Sequence, residues 1–198
     1  DSRSEPPKRI RGVISVTSKA SGYVPAEGFE EDIEIPAGFL NTALHGDTVE
    51  VNLRPRVRGM RASGEVFSVV SRAKETFIGV VEKRTEECRV MADDRRMYAD
   101  IIIPKQAAKD LKSQEKVLVH LEKWDNPQKN PEGRIIKILG QSGDTEVEMA
   151  AITLAQGFEM EFPAEVIAAA RQLQTARKGK EAAEIENRRD FRDSLTFT

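Results

Sequence analysis

Four stretches of this sequence occur twice, in the same order and at a nearly constant spacing. The paired stretches lie 67, 68, 68 and 69 residues apart. The pairs are "GVISV" with "GVVEK", "DIEIP" with "DIIIP", "TVEVNL" with "KVLVHL", and "GEVFSVV" with "GRIIKIL". An ordered internal repeat indicates that one structural unit is present more than once. The sequence therefore predicts two copies of one domain, over residues 8–75 and 76–141.

Each copy has the alternating pattern of short β-strands. In "TVEVNL", Val49, Val51 and Leu53 share one face of an extended chain, as a strand packed on one side requires. The strands predicted for the first copy are 10–17, 21–25, 32–35, 48–53 and 62–70. No long helix separates them, which favours a small closed barrel of the OB-fold type. Such barrels bind oligonucleotides on the second and third strands and on the loops after the first and fourth.

The chain changes character after the second copy. Val147, Ala150, Ala151 and Leu154 follow helical spacing, and Pro163 suits the first position of a second helix. Asp144 is the predicted N-cap of the first helix and Gly157 its predicted end. Residues 142–198 are therefore predicted to be a helical segment, with a charged linker over 176–190. The predicted fold is mainly β: two tandem five-stranded OB-fold barrels followed by helices.

Composition narrows the possible functions. With 39% hydrophobic and 32% charged residues, the 198-residue chain can form small cores, and it has no apolar run of about 18 residues that would span a membrane. Cys88 is the single cysteine, which suggests the reducing cytoplasm. His45 and His120 are not expected to form a catalytic triad with Cys88. The acidic runs are interpreted as solvated surface rather than metal sites, and a monomer is expected.

A basic loop is the strongest candidate binding feature. Within "RPRVRGMR", Arg54, Arg56 and Arg58 alternate, so an extended chain would place their guanidinium groups on one face, and Arg61 follows the turn at Gly59. This stretch falls between the fourth and fifth strands, a usual nucleic-acid contact of the fold. We therefore predict RNA contact here; the alternative is a solvated loop without a partner.

Aromatic and basic residues elsewhere complete the candidate set. Tyr23, with Lys19 nearby, could stack a base on the second strand, or could pack on its neighbours with its hydroxyl in water. In the second copy, Arg89 occupies the place of Tyr23, but acidic neighbours should weaken phosphate binding there. Trp124, beside Lys123, could be an exposed stacking platform; the alternative is an indole folded over the end of the barrel.

The order of these parts resembles the ribonuclease R-type exoribonucleases of the ribonuclease II superfamily. The resemblance rests on the paired "DIEIP" and "DIIIP", on "ALHGDTVEV", "GRIIKILG" and "FPAEV", and above all on "RRDFR" near the end. It departs from the family at strand 2, where Ala20 stands in place of the first of two aromatic residues and Arg89 replaces the aromatic in the second copy. The resemblance implies that the two barrels are cold-shock domains preceding a catalytic domain.

The same resemblance implies a function. Members of the family degrade RNA processively from the 3′ end with Mg²⁺ held by carboxylates in a part that follows "RRDFR". On that basis the chain is expected to be a fragment without catalytic residues or cofactor, which binds single-stranded RNA without cutting it. Two alternatives stay open: a standalone tandem cold-shock protein acting as a chaperone or translation factor, and an OB-fold module for protein contact.

Overall fold

Residues 9–55, 59, 61–85 and 87–177 are described by the structure, a computed structural model. They contain eleven strands and two α-helices. The strands are β1 (Arg9–Val13), β2 (Ser15–Val16), β3 (Gly22–Val24), β4 (Ile33–Ile35), β5 (Thr48–Leu53), β6 (Gly64–Ser71), β7 (Thr76–Lys83), β8 (Cys88–Ala92), β9 (Ile101–Ile103), β10 (Glu115–Lys123) and β11 (Glu132–Gln141). The helices are α1 (Thr145–Ala155) and α2 (Ala164–Arg177). The described residues up to Phe158 form one compact unit, and those from Glu159 belong to a second.

The first copy folds as two three-stranded sheets over one core. One sheet has the order β1-β5-β6 and the other β2-β3-β4. Their inward side chains form a single apolar cluster made largely of Ile, Val and Leu. The predicted first strand is interrupted at Ile14, which bonds through its N–H to the Asp47 carbonyl, and one parallel bridge between Glu34 and Ser63 links β4 to β6. The first copy therefore has the strand order of the expected barrel, but its sheets do not form a closed barrel.

The second copy is a closed five-stranded barrel. Its strands follow the order β10-β11-β9-β8-β7, and the parallel pair that closes it joins Ile102 to Glu132. These two residues are the repeat equivalents of Glu34 and Ser63, 68 and 69 positions further on. The prediction of a mainly β fold with a closed five-stranded barrel is thus confirmed for the second copy, while the first copy consists of two separate three-stranded sheets.

Two β-bulges recur at equivalent positions of the repeat. In the β5–β6 pair, the register skips Phe67 and Val70, which face no partner residue. In the β10–β11 pair it skips Ile136 and Leu139, 69 positions later in each case. A bulge increases strand twist and bends the sheet, which a small barrel needs in order to curve around its core. The bulges therefore belong to the fold and are not local irregularities.

A buried carboxylate fixes loop 41–47 to the end of the first copy. The Asp47 side chain is fully buried and accepts hydrogen bonds from Arg72 Nη1 at 2.6 Å, the Leu44 N–H at 2.8 Å and the Ala73 N–H at 3.0 Å. Arg72 also donates to the carbonyl of Thr42 at 2.6 Å. Thr42 has a φ of +67°, which is unfavourable for a β-branched residue, and the bond from Arg72 helps to hold it there. The link thus ties loop 41–47 to the connection between the copies.

The same loop packs on the second barrel. Leu44 lies in the apolar cluster of that barrel, although its place in the sequence is in the first copy. Tyr98 packs against both clusters and donates its hydroxyl to the Ala43 carbonyl at 3.1 Å. Burial raises the pKa of Tyr98, so the phenol stays protonated and keeps this bond. Neither copy is therefore structurally independent of the other, and the predicted boundary near residue 75 stays a prediction.

The helices begin and end close to where the sequence predicts. The Asp144 carboxylate caps α1 by accepting from the N–H groups of Glu146 and Val147, and Gly157 follows the helix with a φ of +83°. Lys116, almost fully buried, donates to both Asp93 and Glu148 at 2.9 Å and so fastens α1 to the closed barrel.

The second helix, α2, starts one residue after Pro163, and none of its residues is buried within its unit. The charged linker beyond residue 177 and "RRDFR" lie outside the described residues.

We predict that Asp47→Asn lowers the free energy of unfolding by about 3 kcal/mol. The substitution removes the charge that compensates Arg72 in a buried site, and breaking such a pair is costly. The matched control is Asp125→Asn, because the Asp125 side chain is 71% exposed and its pair with Lys123 should contribute less than about 1 kcal/mol. Urea unfolding of the two variants gives the comparison. Equal midpoints for both would contradict the role assigned to Asp47.

Candidate nucleic-acid interface

Three arginines of the first copy lie on aromatic rings of that same copy. The distances from guanidinium carbon to ring centroid are 3.7 Å for Arg9 on Phe67, 4.4 Å for Arg54 on Phe39 and 5.5 Å for Arg61 on Tyr23. A cation held over a ring leaves its outward N–H groups available for phosphate, and the planar guanidinium can itself stack on a base. Together the pairs form a surface suited to a flexible anionic chain with flat bases.

The basic loop lies where the sequence predicts, between β5 and β6. The N–H of Arg54 donates to the Ser63 carbonyl at 2.9 Å and closes the base of the loop. Gly59 has a φ of +82°, the turn geometry that glycine accepts without strain. The Arg54 side chain is exposed. Arg56 and Arg58 lie outside the described residues, so their predicted contact with RNA stays a prediction.

Arg61 leaves the loop towards an acidic residue of the β3–β4 connection. Its Nε donates to Glu31 at 2.8 Å, and this carboxylate raises the pKa of the guanidinium, which keeps it cationic. A groove of about 730 Å³ runs beside the pair and is lined in part by Phe29 and Ala62. Because both side chains are well exposed, an incoming phosphate could compete with Glu31 at little cost.

Tyr23 and Lys19 flank the same part of the first copy. Tyr23 lies half-buried on β3, opposite Ser15 and Glu34 in the sheet. Lys19 is exposed in the turn between β2 and β3. The structure brings Tyr23 close to Arg61, but it does not decide between base stacking and packing on neighbours. Contact of Tyr23 and Lys19 with RNA stays a prediction.

Trp124 is not an exposed stacking platform. Its side chain is only 8% exposed and belongs to the core of the closed barrel. The indole N–H donates to the Lys129 carbonyl at 2.9 Å, and the ring packs on Tyr98 with centroids 5.4 Å apart. The alternative stated above, an indole folded over the end of the barrel, is confirmed. Lys123 beside it is exposed and pairs with Asp125 at 3.1 Å.

Arg89 is held in a network of ion pairs. Its guanidinium donates to Glu82 at 2.6 Å and pairs with Asp100 at 2.8 Å. Arg89 in turn lowers the pKa of the Glu82 carboxyl, which Arg84 also contacts. A guanidinium shared by two carboxylates has little capacity left for phosphate. Arg89 therefore joins β7 and β8 to the residue that precedes β9, and the RNA contact predicted for it stays a prediction.

Arg9, Phe39 and Phe67 are candidate residues that the sequence analysis missed. The alternation of the strand identifies Val66 as an inward residue, so the outward position of Phe67 could have been predicted. The contact of Phe67 with Arg9 could not have been predicted, because the two residues are 58 positions apart and meet only across β5.

Among the described residues, no group of three or more His, Cys, Asp or Glu side chains is arranged to hold a metal ion. In the described part of the chain, neither helix has the length and apolar character needed to cross a membrane.

Comparison with known proteins defines the class of protein. Residues 12–69 match the model of the ribonuclease B OB domain, and residues 90–163 match the model of a cold shock domain. The first match lies within the first copy, and the second runs from β8 through β11 and continues past α1. The chain is thus similar to an OB domain followed by a cold shock domain.

The curated relatives and solved structures are more specific. The chain is 29% identical to ribonuclease R of Thermotoga maritima and 28% identical to that of Chlamydia pneumoniae, covering 94% and 96% of itself. It spans only 26% and 29% of those two proteins. The resemblance to ribonuclease R predicted from the sequence is therefore confirmed along nearly the whole chain, which corresponds to a minor part of those proteins.

Solved structures share the fold at lower identity. Mycoplasma genitalium RNase R in complex with ribose methylated single-stranded RNA has a TM-score of 0.71, with 22% identity over 82% of this chain and 26% of the other. Yeast Ssd1, described as a pseudonuclease, has a TM-score of 0.65, with 20% identity over 76% of this chain and 25% of the other. The same fold thus occurs in a protein named as a nuclease and in one named as a pseudonuclease.

The single tryptophan makes its burial directly measurable. We predict that the native protein emits at a blue-shifted wavelength and that acrylamide quenches the indole weakly, because Trp124 lies in the barrel core. Unfolding in urea should shift the emission to the red and increase quenching several-fold. Native emission and quenching like those of free tryptophan would mean that the indole is exposed, as a stacking platform would be.

Proposed function

We propose that this chain is the single-stranded RNA-binding region of a ribonuclease R-type exoribonuclease. The observation that carries the proposal is the presence of two arginine–aromatic pairs at the loop between β5 and β6, Arg61 on Tyr23 and Arg54 on Phe39. The relationship to ribonuclease R over 94% of the chain supports the assignment to RNA. Stacking platforms beside cations are the usual means of holding an unpaired strand without reading its sequence.

The first copy is proposed as the main contact. Its loop supplies Arg54, Arg56, Arg58 and Arg61 for phosphates, with Lys19 and Tyr23 on the neighbouring turn and strand. In the second copy, by contrast, Trp124 is committed to the core and Arg89 to two carboxylates. Lys123 is the remaining candidate there, as an exposed cation at the end of β10.

We propose that cleavage belongs to the full-length protein rather than to this chain. The whole protein would hydrolyse RNA from its 3′ end with Mg²⁺, held by carboxylates outside the residues described here. In the described part, no carboxylate cluster fits such an ion. The chain would collect an unpaired strand and direct its end to the catalytic part, acting in the cytoplasm as a monomer.

A second candidate function has one specific observation in its favour. Yeast Ssd1 shares the fold and is described as a pseudonuclease. A protein built on these domains could therefore bind RNA as its whole task, without degrading it. RNA binding by the first copy is common to both candidates, so the surface is tested in the same way for either.

Replacing Arg54, Arg56 and Arg58 with Ala should weaken binding of an unpaired oligonucleotide and flatten its salt dependence. Each lost phosphate contact lowers the slope of log K against log salt by about 0.7 for a single strand, or about 2 for three contacts. Fluorescence anisotropy at several salt concentrations measures both quantities. The matched control is Arg95, Lys109 and Lys112 to Ala, which removes the same charge from exposed positions of the second copy.

The control variant should retain most of the affinity and the slope. Equal losses in both variants would assign the effect to net charge and contradict the role of the loop. Absence of binding by the unaltered chain at low salt would contradict the proposed function itself. The oligonucleotide should also stay full length in magnesium, and its shortening would contradict the assignment of cleavage to the rest of the protein.

A further inference from the structure

The outer face of the β1-β5-β6 sheet exposes two apolar side chains at its bulges. Phe67 is 46% exposed and Val70 is 42% exposed, and both are the residues that the register skips. Bulges redirect a side chain relative to the alternation of the strand and are frequent next to binding sites. The equivalent bulge residue of the closed barrel, Ile136, is also 46% exposed but is not aromatic.

Arg9 is positioned on Phe67 by the neighbouring strand. It pairs with Asn52 across β1 and β5, and its Nε donates to Asn52 Oδ1 at 3.3 Å. This bond holds the guanidinium 3.7 Å from the ring centroid. The ring is therefore restrained by a cation while nearly half of its side chain stays accessible. A restrained aromatic loses less conformational entropy on binding than a mobile one.

The ring borders a groove with a polar lining. The groove has a volume of about 300 Å³, and its lining includes the polar side chains Asn41, Asn52 and Glu65 beside the rings of Phe39 and Phe67. Asn41 donates its amide N–H groups to the carbonyls of Val66 and Phe67 at 3.3 and 3.4 Å, which fixes the bulge. Asn41 also lines a neighbouring groove of about 350 Å³ that reaches Val70 and Arg72. The surface is thus a continuous shallow track rather than one closed pocket.

We propose that Phe67, with Arg9 stacked on it, binds one unpaired RNA base on this outer sheet face. The inference rests on the proposed RNA binding and adds a position on β6, away from β3 and beside the ring on which Arg54 lies. The base would stack on the aromatic and guanidinium planes, and the outward N–H groups of Arg9 would contact the adjoining phosphate.

The chemistry of the groove favours RNA over a protein segment. Amides and a guanidinium stand beside the two rings, and Arg54 lies on the second ring, that of Phe39. A docked apolar helix or strand would leave these polar groups without partners, which is costly when they are buried. A nucleotide satisfies both kinds of surface, because its base is flat and apolar on its faces and its phosphate is anionic.

The test is Phe67→Ala in the 198-residue chain, with Ile136→Ala as the matched control. Both remove a side chain that is 46% exposed from the same bulge of the repeat, so their structural costs should be similar. Phe67→Ala should weaken binding of an unpaired oligonucleotide about fivefold or more, the loss expected for one stacked base. The salt slope should not change, because no charge is removed. Phe67→Trp should retain the affinity.

The outcomes separate this inference from the proposed function. If the unaltered chain binds RNA and Phe67→Ala binds equally well, the stacking position is wrong while the RNA-binding function stands, and the exposed ring is then better assigned to protein contact. An equal loss in Phe67→Ala and Ile136→Ala would also contradict it, since both would then act through the fold. Failure of the unaltered chain to bind would reject the function on which the inference rests.

Discussion

The pair formed by Asp47 and Arg72 holds the loop through which the first copy contacts the second. The buried carboxylate takes three donors, one from loop 41–47 itself and two from the connection that leads into the second copy. Because the same loop also carries Leu44 into the core of the closed barrel, the copies share buried surface. Asn41, at the start of this loop, fixes the bulge at Phe67. The loop that the Asp47–Arg72 pair holds therefore also contacts the bulge at Phe67, which belongs to the candidate interface.

The two copies resemble each other in strand order but differ in the contacts that their arginines and aromatic side chains make. The second copy is a closed barrel, and Lys116 links it to α1. Its Trp124 and Arg89 make contacts within the barrel. The first copy has an interrupted first strand and two sheets that one parallel bridge joins. It also carries the pairs of Arg9, Arg54 and Arg61 with aromatic rings. This contrast is the physical reason for proposing the first copy, rather than the second, as the main contact for RNA.

Sequence reasoning was most successful where the determining interactions are local or periodic. Alternation of apolar residues predicted β5 from Thr48 to Leu53, and the repeat predicted the equivalent strand β10 in the second copy. Asp144 and Gly157 marked the ends of α1. Sequence reasoning left the position of Trp124 open between two alternatives and missed the pair of Arg9 with Phe67. Burial of Trp124 depends on Tyr98 and on a carbonyl in its own loop, and the pair of Arg9 with Phe67 exists only because β5 lies between their strands. Neither arrangement has a signature in the local sequence.

Amide hydrogen exchange with and without a saturating unpaired oligonucleotide tests the central claim most directly, because it locates the bound strand without altering any side chain. The account predicts slower exchange in β3, in the connection between β5 and β6, and in β6 near Phe67, with β8 and α1 unchanged. Slowing confined to the second barrel, or no slowing at saturation, would contradict it.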